Sequence, residues 1–212
     1  MKDTFRHKGL RKQLVDLLKS KSINNVSVLK AIETVPRHLF FDNAFIERAY
    51  EDIAFPIGAG QTISRPHTVA FQSELLEIKK GDKVLEVGTG SGYQTCVLLE
   101  MGAKVFSIER QKELFDKTKV VLPSLGYNAK LFYGDGYKGL SAFAPYDKII
   151  VTAGAPFIPD LLLEQLKVGG IMIIPLGEEV QVMTKIVKTA NKNFEKTEYG
   201  EFKFVPLLES RQ

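Results

Sequence analysis

The chain contains one cysteine, Cys96, so no internal disulfide can form. That residue lies in an apolar stretch and reads as a small packed side chain. No hydrophobic run approaches the roughly 18 residues that a membrane span requires, so no membrane association is expected. The opening residues, Met1-Lys2-Asp3-Thr4-Phe5-Arg6, include no apolar signal region; export is not indicated, and a cytoplasmic location is expected. A large excess of charge of one sign is also lacking. The net charge is +4 and the pI near 9.0, a bias too mild to indicate nucleic acid by itself. Repeats and low-complexity segments are missing as well, and no metal site is expected. What is present is 212 residues, 44% of them hydrophobic, enough for one large domain or one domain with an extension.

One stretch organises the rest. Val84-Leu85-Glu86-Val87 runs into Gly88-Thr89-Gly90-Ser91-Gly92, and a helical pattern leaves it from Tyr93 to Met101. Strand, glycine turn and helix are the parts of a nucleotide or nucleoside site, because free N–H groups at the helix start face the turn. A dinucleotide fingerprint spaces its glycines G-x-G-x-x-G; here the spacing is G-x-G-x-G and Tyr93 stands in the third position, which disfavours a dehydrogenase. A second strand-like run, Lys104–Ile108, ends in Glu109, 21 residues after Gly88, where a carboxylate can accept from both ribose hydroxyls. A third, Lys130–Tyr133, ends in Gly134-Asp135-Gly136. Three polar strand ends on one edge of a parallel sheet form a ligand site. The pattern resembles the S-adenosylmethionine-dependent methyltransferases. That resemblance would give Glu109 the ribose, Asp135 the adenine amine and the Gly88–Gly92 turn the methionine part, with Arg110 and Gly136 beside them.

From Gly81 onward the alternation predicts strands at Lys83–Val87, Lys104–Glu109, Ala129–Tyr133, Lys148–Thr152 and Ile171–Pro175. Helices are predicted at about Tyr93–Met101, Lys112–Leu125 and Pro159–Leu166, with Gly169-Gly170 turning into the fifth strand. Val180–Thr189 and Phe194–Val205 read as a hairpin across Ala190-Asn191-Lys192-Asn193. The expected fold is α/β: a doubly wound, mostly parallel Rossmann-like sheet with a C-terminal antiparallel hairpin and an N-terminal helical extension. Residues 1–80 are expected to form a helical cap and substrate loop within the same domain as the 81–212 core. Residues 1–21 carry Leu10, Leu14, Leu17 and Leu18 at helical spacing, and read as an amphipathic helix with a solvated basic face. A second helix is expected from Val26 to Val35, stopped by Pro36, then a short one from Asn43 to Tyr50. This segment is expected to cap the ligand edge. Ala54–Arg65, with Pro56, Gly58 and Gly60, reads as an irregular functional loop. Pro66 suits the first position of the next helix, which puts Ser64 just before a helix N-terminus.

The acceptor half follows from an absence. After the fourth strand stands Thr152-Ala153-Gly154-Ala155-Pro156, with no Asn, Asp or Glu to draw a proton from an amine. A carboxylate acceptor needs no base, since its pKa of roughly 4 leaves it ionised at pH 7. Thr152 and Ser64 are available as neutral donors to hold it. Several further stretches are similar to those of the protein-L-isoaspartate O-methyltransferase family: Val35-Pro36-Arg37-His38-Leu39-Phe40, Ala49-Tyr50-Glu51-Asp52, Gln61-Thr62-Ile63-Ser64, Pro66-His67, Tyr93-Gln94, Ala144-Pro145-Tyr146-Asp147 and Phe204-Val205-Pro206-Leu207. The similarity runs from about residue 5 to 208.

What the resemblance implies is a repair enzyme that methylates the free α-carboxylate of L-isoaspartyl residues in damaged proteins and peptides. The ester then collapses to a succinimide that hydrolyses in part to normal Asp. By position, Ser64 would be the active-site serine, orienting the carboxylate rather than attacking. Gln61, Thr62 and Ile63 would lie against the cofactor, and His67, Thr152, Ala153 and Val205–Leu207 would line the peptide groove. A monomer with no stable nucleic-acid partner is expected. Two other readings remain at this point: a nucleic-acid methyltransferase using the basic N-terminal helix, and a cofactor-binding module without catalysis.

Overall fold

The computed structural model describes residues 3–41 and 43–212. These form a seven-stranded sheet and a separate two-stranded hairpin. The hairpin is β1 (Phe55–Gly58) and β2 (Gln61–Ile63). The large sheet holds β3 (Lys83–Val87), β4 (Lys104–Glu109), β5 (Lys130–Tyr133), β6 (Tyr146–Val151), β7 (Leu166–Leu176), β8 (Gln181–Ala190) and β9 (Asn193–Phe202). Its order is β5-β4-β3-β6-β7-β8-β9; strands β3 to β7 run parallel, β8 pairs antiparallel to β7, and β9 pairs antiparallel to β8. The chain winds outward from β3 to β5 and resumes at β6 on the other side of β3. The reversal opens a crevice between the carboxyl ends of β3 and β6, where open α/β sheets take their ligands.

Both faces of the sheet are covered, so its central strands are apolar almost throughout. Leu85, Val87, Ile149 and Val151 pack on one face with Leu162 of α6 (Asp160–Gln165). Val84, Val105 and Ile150 pack on the other with Leu98 of α4 (Tyr93–Glu100). The N-terminal helices α1 (Phe5–Ser20) and α2 (Val26–Thr34) join a further apolar cluster with α3 (Pro66–Leu75), α4 and α5 (Lys112–Ser124). Thr4 caps α1 through a capping box with His7, and Asn25 caps α2 through Ser27 N and Val28 N.

The α/β reading, the parallel core and the C-terminal hairpin all hold. Several local expectations do not. Ala54–Arg65 is not irregular: Phe55, Ile57 and Ile63 are buried, and that alternation drives the β1–β2 pairing. The short helix expected from Asn43 to Tyr50 is a 3₁₀-helix and stops at Arg48. Val15 is buried in α1, while Leu17 faces solvent; Met1 and Lys2, also within the expected helix, lie outside the described residues. Gly169-Gly170 forms an irregularity inside β7, because Leu166 already pairs with Tyr146 before Ile171 pairs with Lys148. Helices α1 and α2 pack against α3 and α4, Leu39–Phe41 lie beside Gly90 and Ser91, and the β1–β2 hairpin lines the ligand edge itself. The last strand stops at Phe202. Its continuation crosses to Gly154, where Gly154 N donates to Val205 O at 2.8 Å and Leu207 N donates to Gly154 O at 2.7 Å. This crossing carries Val205–Leu207 to the same edge.

Candidate active site

The crevice is built from the turns that end β3, β4 and β6. Gly88 adopts φ +96°, a conformation that strains side-chain-bearing residues, and a Cβ on it would meet Thr152 Oγ1 at 2.4 Å. Only glycine lets the two strand ends approach so closely. The Thr152 hydroxyl lies 2.6 Å from Gly88 O and 3.0 Å from Val87 O, and donates to these carbonyls. Its single proton is thereby committed, which corrects the expectation that Thr152 donates to an acceptor. At the end of β4, Glu109 Oε2 accepts from Gly90 N and Oε1 from Gln111 N, both at 2.8 Å. A carboxylate has about four acceptor directions, so two remain for a ligand.

A cleft runs along this edge. The structure brings Gly88, Thr89, Gly90 and Ser91 of the turn together with Glu109, Arg110 and Gly136 along it. Gln61, Thr62, Ile63 and Ser64 of the hairpin form one wall; Thr152, Ala153, Val205, Pro206 and Leu207 form another. Three expected site residues do not line it. Gly92 faces α5, where a Cβ would meet Leu122 Cδ1 at 2.4 Å, so its role is helix packing. Asp135 is not among the lining residues, although the adjacent Gly136 is; it accepts from Tyr137 N at 3.0 Å and from Ser210 N at 3.1 Å, which caps a 3₁₀ turn, holds the C-terminal segment and leaves two acceptor directions, as at Glu109. His67 lines neither cavity. Its backbone N–H donates to Asp52 Oδ1 at 2.8 Å and its ring stacks on Phe71. Burial lowers the pKa of its ring, against the opposing pull of Asp52.

Other residues of the cleft escaped the sequence reading. Val69, Val87, Tyr93, Gln94, Ile108 and Leu208 line it too. Five are apolar or aromatic and indistinguishable from core in a sequence. Gln94 carried a signal, since it follows the glycine turn at once. Its Nε2 donates to Ser73 Oγ at 2.9 Å, while Oε1 is buried without a partner. An unpaired acceptor in a cleft is costly unless a ligand donor meets it.

Beneath the turn lies a polar network. Glu86 is fully buried; Thr95 of α4 donates to its Oε2, and Oε1 has no partner. Burial raises its pKa to about 8, with repulsion from Glu109 adding to the shift. It is therefore a neutral acid at pH 7, not a solvated strand end. Ser107 on β4 shares a 2.6 Å hydrogen bond with Thr89, which supports the cleft's floor.

A second cavity lies beside the hairpin, lined by Ala54, Arg65, Thr68, Val180 and Glu201–Val205. The two cavities share Thr62, Ser64, Thr152 and Val205. Ser64 thus stands at a junction. It is not the helix cap: Arg65 occupies that position in α3, and Arg65 Nε donates to Thr68 Oγ1 at 3.1 Å. Such an arrangement offers one chamber for a nucleoside cofactor and another for an extended substrate, with a hydroxyl between them.

The profile of the family described as Protein-L-isoaspartate(D-aspartate) O-methyltransferase (PCMT) matches residues 9–212. The chain belongs to this family. A protein-L-isoaspartate O-methyltransferase of Flavobacterium psychrophilum is 62% identical, and one of Christiangramia forsetii 63%, each over the full length of both chains. A solved protein-L-isoaspartate O-methyltransferase superposes with a TM-score of 0.84 at 29% identity, covering 92% of this chain; the chain spans 65% of that protein's length. A structure from Plasmodium falciparum, described as a complex with S-adenosyl-L-homocysteine, gives a TM-score of 0.81 at 28% identity, over 93% of this chain and 98% of that one. Among the described residues, no helix is long and apolar enough to cross a membrane.

Proposed function

We infer that this protein transfers a methyl group from S-adenosyl-L-methionine to the free α-carboxylate of L-isoaspartyl residues in damaged proteins and peptides. The methyl ester gives up methoxide far more readily than the carboxylate gives up oxygen, so attack of the following backbone nitrogen on its carbonyl closes a succinimide with loss of methanol, and repair begins. The observation that carries the reading is the junction: Ser64 and Thr152 belong to both the glycine-turn cleft and the outer groove.

The residues of the cleft fit the cofactor. Two free acceptor directions on Glu109 match two ribose hydroxyls, and the orphaned Gln94 Oε1 suits an amino group. The Gly88–Ser91 backbone, open because no Cβ stands at Gly88 or Gly90, would hold the rest, with Arg110 and Gly136 at the nucleoside end. Bound there, the cofactor supplies an electrophilic methyl on a sulfonium. The chain's own residues hold the acceptor. The outer groove takes the peptide along Phe202–Val205 and Arg65. The Ser64 hydroxyl, its proton uncommitted among the described residues, donates to the carboxylate and aims it into the cleft. No base is required, since the carboxylate is ionised at neutral pH. Fixing both partners replaces a bimolecular encounter, an advantage of up to roughly 7–11 kcal/mol in favourable cases.

Labelled methyl transfer to two peptides differing only in Asp or isoAsp tests this. Transfer to the isoAsp peptide alone is expected; equal labelling, or none, refutes it. Ser64→Ala should lower kcat while leaving cofactor affinity near that of the wild type. Loss of cofactor affinity alone would assign Ser64 to the cofactor instead.

A further inference from the structure

Arg37 has no exposed surface, yet it carries a guanidinium. Its Nε donates to Ala49 O at 2.9 Å and its Nη2 to Ser64 O at 2.8 Å. Ala49 precedes β1 and Ser64 follows β2, so one side chain staples the two ends of the hairpin that walls the cleft. The cation lies over two rings, with Cζ 5.3 Å from the centroid of Phe41 and 4.7 Å from that of Tyr93. Tyr93 is the first residue of α4 and itself lines the cleft. The staple therefore also ties the hairpin to the helix behind the glycine turn.

We propose that Arg37 is a positioning residue that sets the orientation of Ser64, and hence of the substrate carboxylate, by clamping the Ser64 carbonyl. The peptide group is planar, so fixing that carbonyl fixes ψ of Ser64 and φ of Arg65 together. A buried cation without its hydrogen bonds is costly, which keeps the clamp closed. Burial pulls the guanidinium's pKa down to about 10, so the charge persists at neutral pH. Lysine lacks the planar fork that spans two carbonyls while stacking on rings. This inference rests on the assignment of Ser64 above.

A double-mutant cycle separates the two ideas. The proteins are wild type, Arg37→Lys, Ser64→Ala and the double variant, compared in kcat and KM for an isoAsp peptide, Kd for S-adenosyl-L-homocysteine by calorimetry, and Tm. Arg37→Lys should lower kcat at least tenfold while that Kd stays within twofold. In the Ser64→Ala background it should change kcat less than twofold, because the orientation it supplies has no hydroxyl left to serve. The same kcat loss in both backgrounds, or unchanged kcat in Arg37→Lys, overturns the proposal. Arg37→Gln, which keeps one amide donor, provides a second variant. Failure of both to fold also overturns it, since the role would then be structural. Unchanged kcat in Ser64→Ala defeats the Ser64 assignment itself, a different outcome from an additive cycle.

Discussion

Replacing Glu86 with Gln should change the pH dependence of stability in a defined window. The carboxyl is fully buried, and burial raises its pKa from 4.5 to about 8. In the unfolded chain the group ionises near 4.5; in the folded protein it keeps its proton until about pH 8. Between those values the folded state binds one more proton, so this group's contribution to stability falls as pH rises. It is fully present below 4.5 and exhausted above about 8. At ~1.4 kcal/mol per pH unit, the whole interval amounts to roughly 5 kcal/mol, and the part from pH 5 to 8 to about 4. Gln keeps an acceptor for the Thr95 hydroxyl and cannot ionise. Its extra N–H sits where Oε1 has no partner and would add a constant cost of about 1–3 kcal/mol. Urea unfolding of both proteins across pH 5–9 gives the difference in stability at each pH. The wild type should lose about 4 kcal/mol relative to the variant from pH 5 to 8, then run parallel to it. A difference that stays flat within about 1 kcal/mol would refute a neutral buried acid.

Two further substitutions test the division of labour around the edge. Gly88→Ala and Gly92→Ala both strain a left-handed turn, but the first drives a methyl into Thr152 at the cleft and the second into Leu122 behind it. Cofactor affinity measured by calorimetry should fall more than tenfold in Gly88→Ala. In Gly92→Ala it should stay within a few-fold while stability drops roughly 2–4 kcal/mol; equal affinity losses would contradict the assignment. Asp52 pairs with Lys21 at 2.6 Å and accepts from His67 N, and these partners hold its pKa below the usual carboxylate range despite burial. Asp52→Ala should cost about 1.5–3 kcal/mol at pH 7, the range for a hydrogen-bonded charge. The cost should shrink as acid protonates the wild-type carboxylate, which pH-dependent denaturation would show; a constant cost down to pH 2 would count against it.

The central strands were legible because both faces of a parallel sheet are buried, which leaves Lys83–Val87 and Lys104–Glu109 as apolar runs bounded by turns. The C-terminal hairpin was legible from its paired strand-like runs. The β1–β2 hairpin was not: its strands span only Phe55–Gly58 and Gln61–Ile63, and Pro56, Gly58 and Gly60 mask the alternation. The 3₁₀ character of Asn43–Arg48 was hidden for a related reason, since helix type is decided by packing rather than by propensity in so short a segment.

The site divides along the same line. Gly88 and Glu109 could be placed from the sequence, because a glycine turn between strand and helix and a carboxylate one strand later carry their chemistry locally. Ser64 had only its place before a helix N-terminus and its neighbours' family likeness, and His67 and Gly92 were assigned roles that their hydrogen bonds and packing do not support. The commitment of the Thr152 proton, the neutrality of Glu86 and the clamp from Arg37 to Ser64 all depend on contacts between residues distant in the chain. Sequence by itself determined which chemical groups end each strand, because that follows from periodicity and spacing. Only the tertiary structure decided which of those groups retain a free donor or acceptor, because that depends on every partner the fold brings within hydrogen-bonding reach.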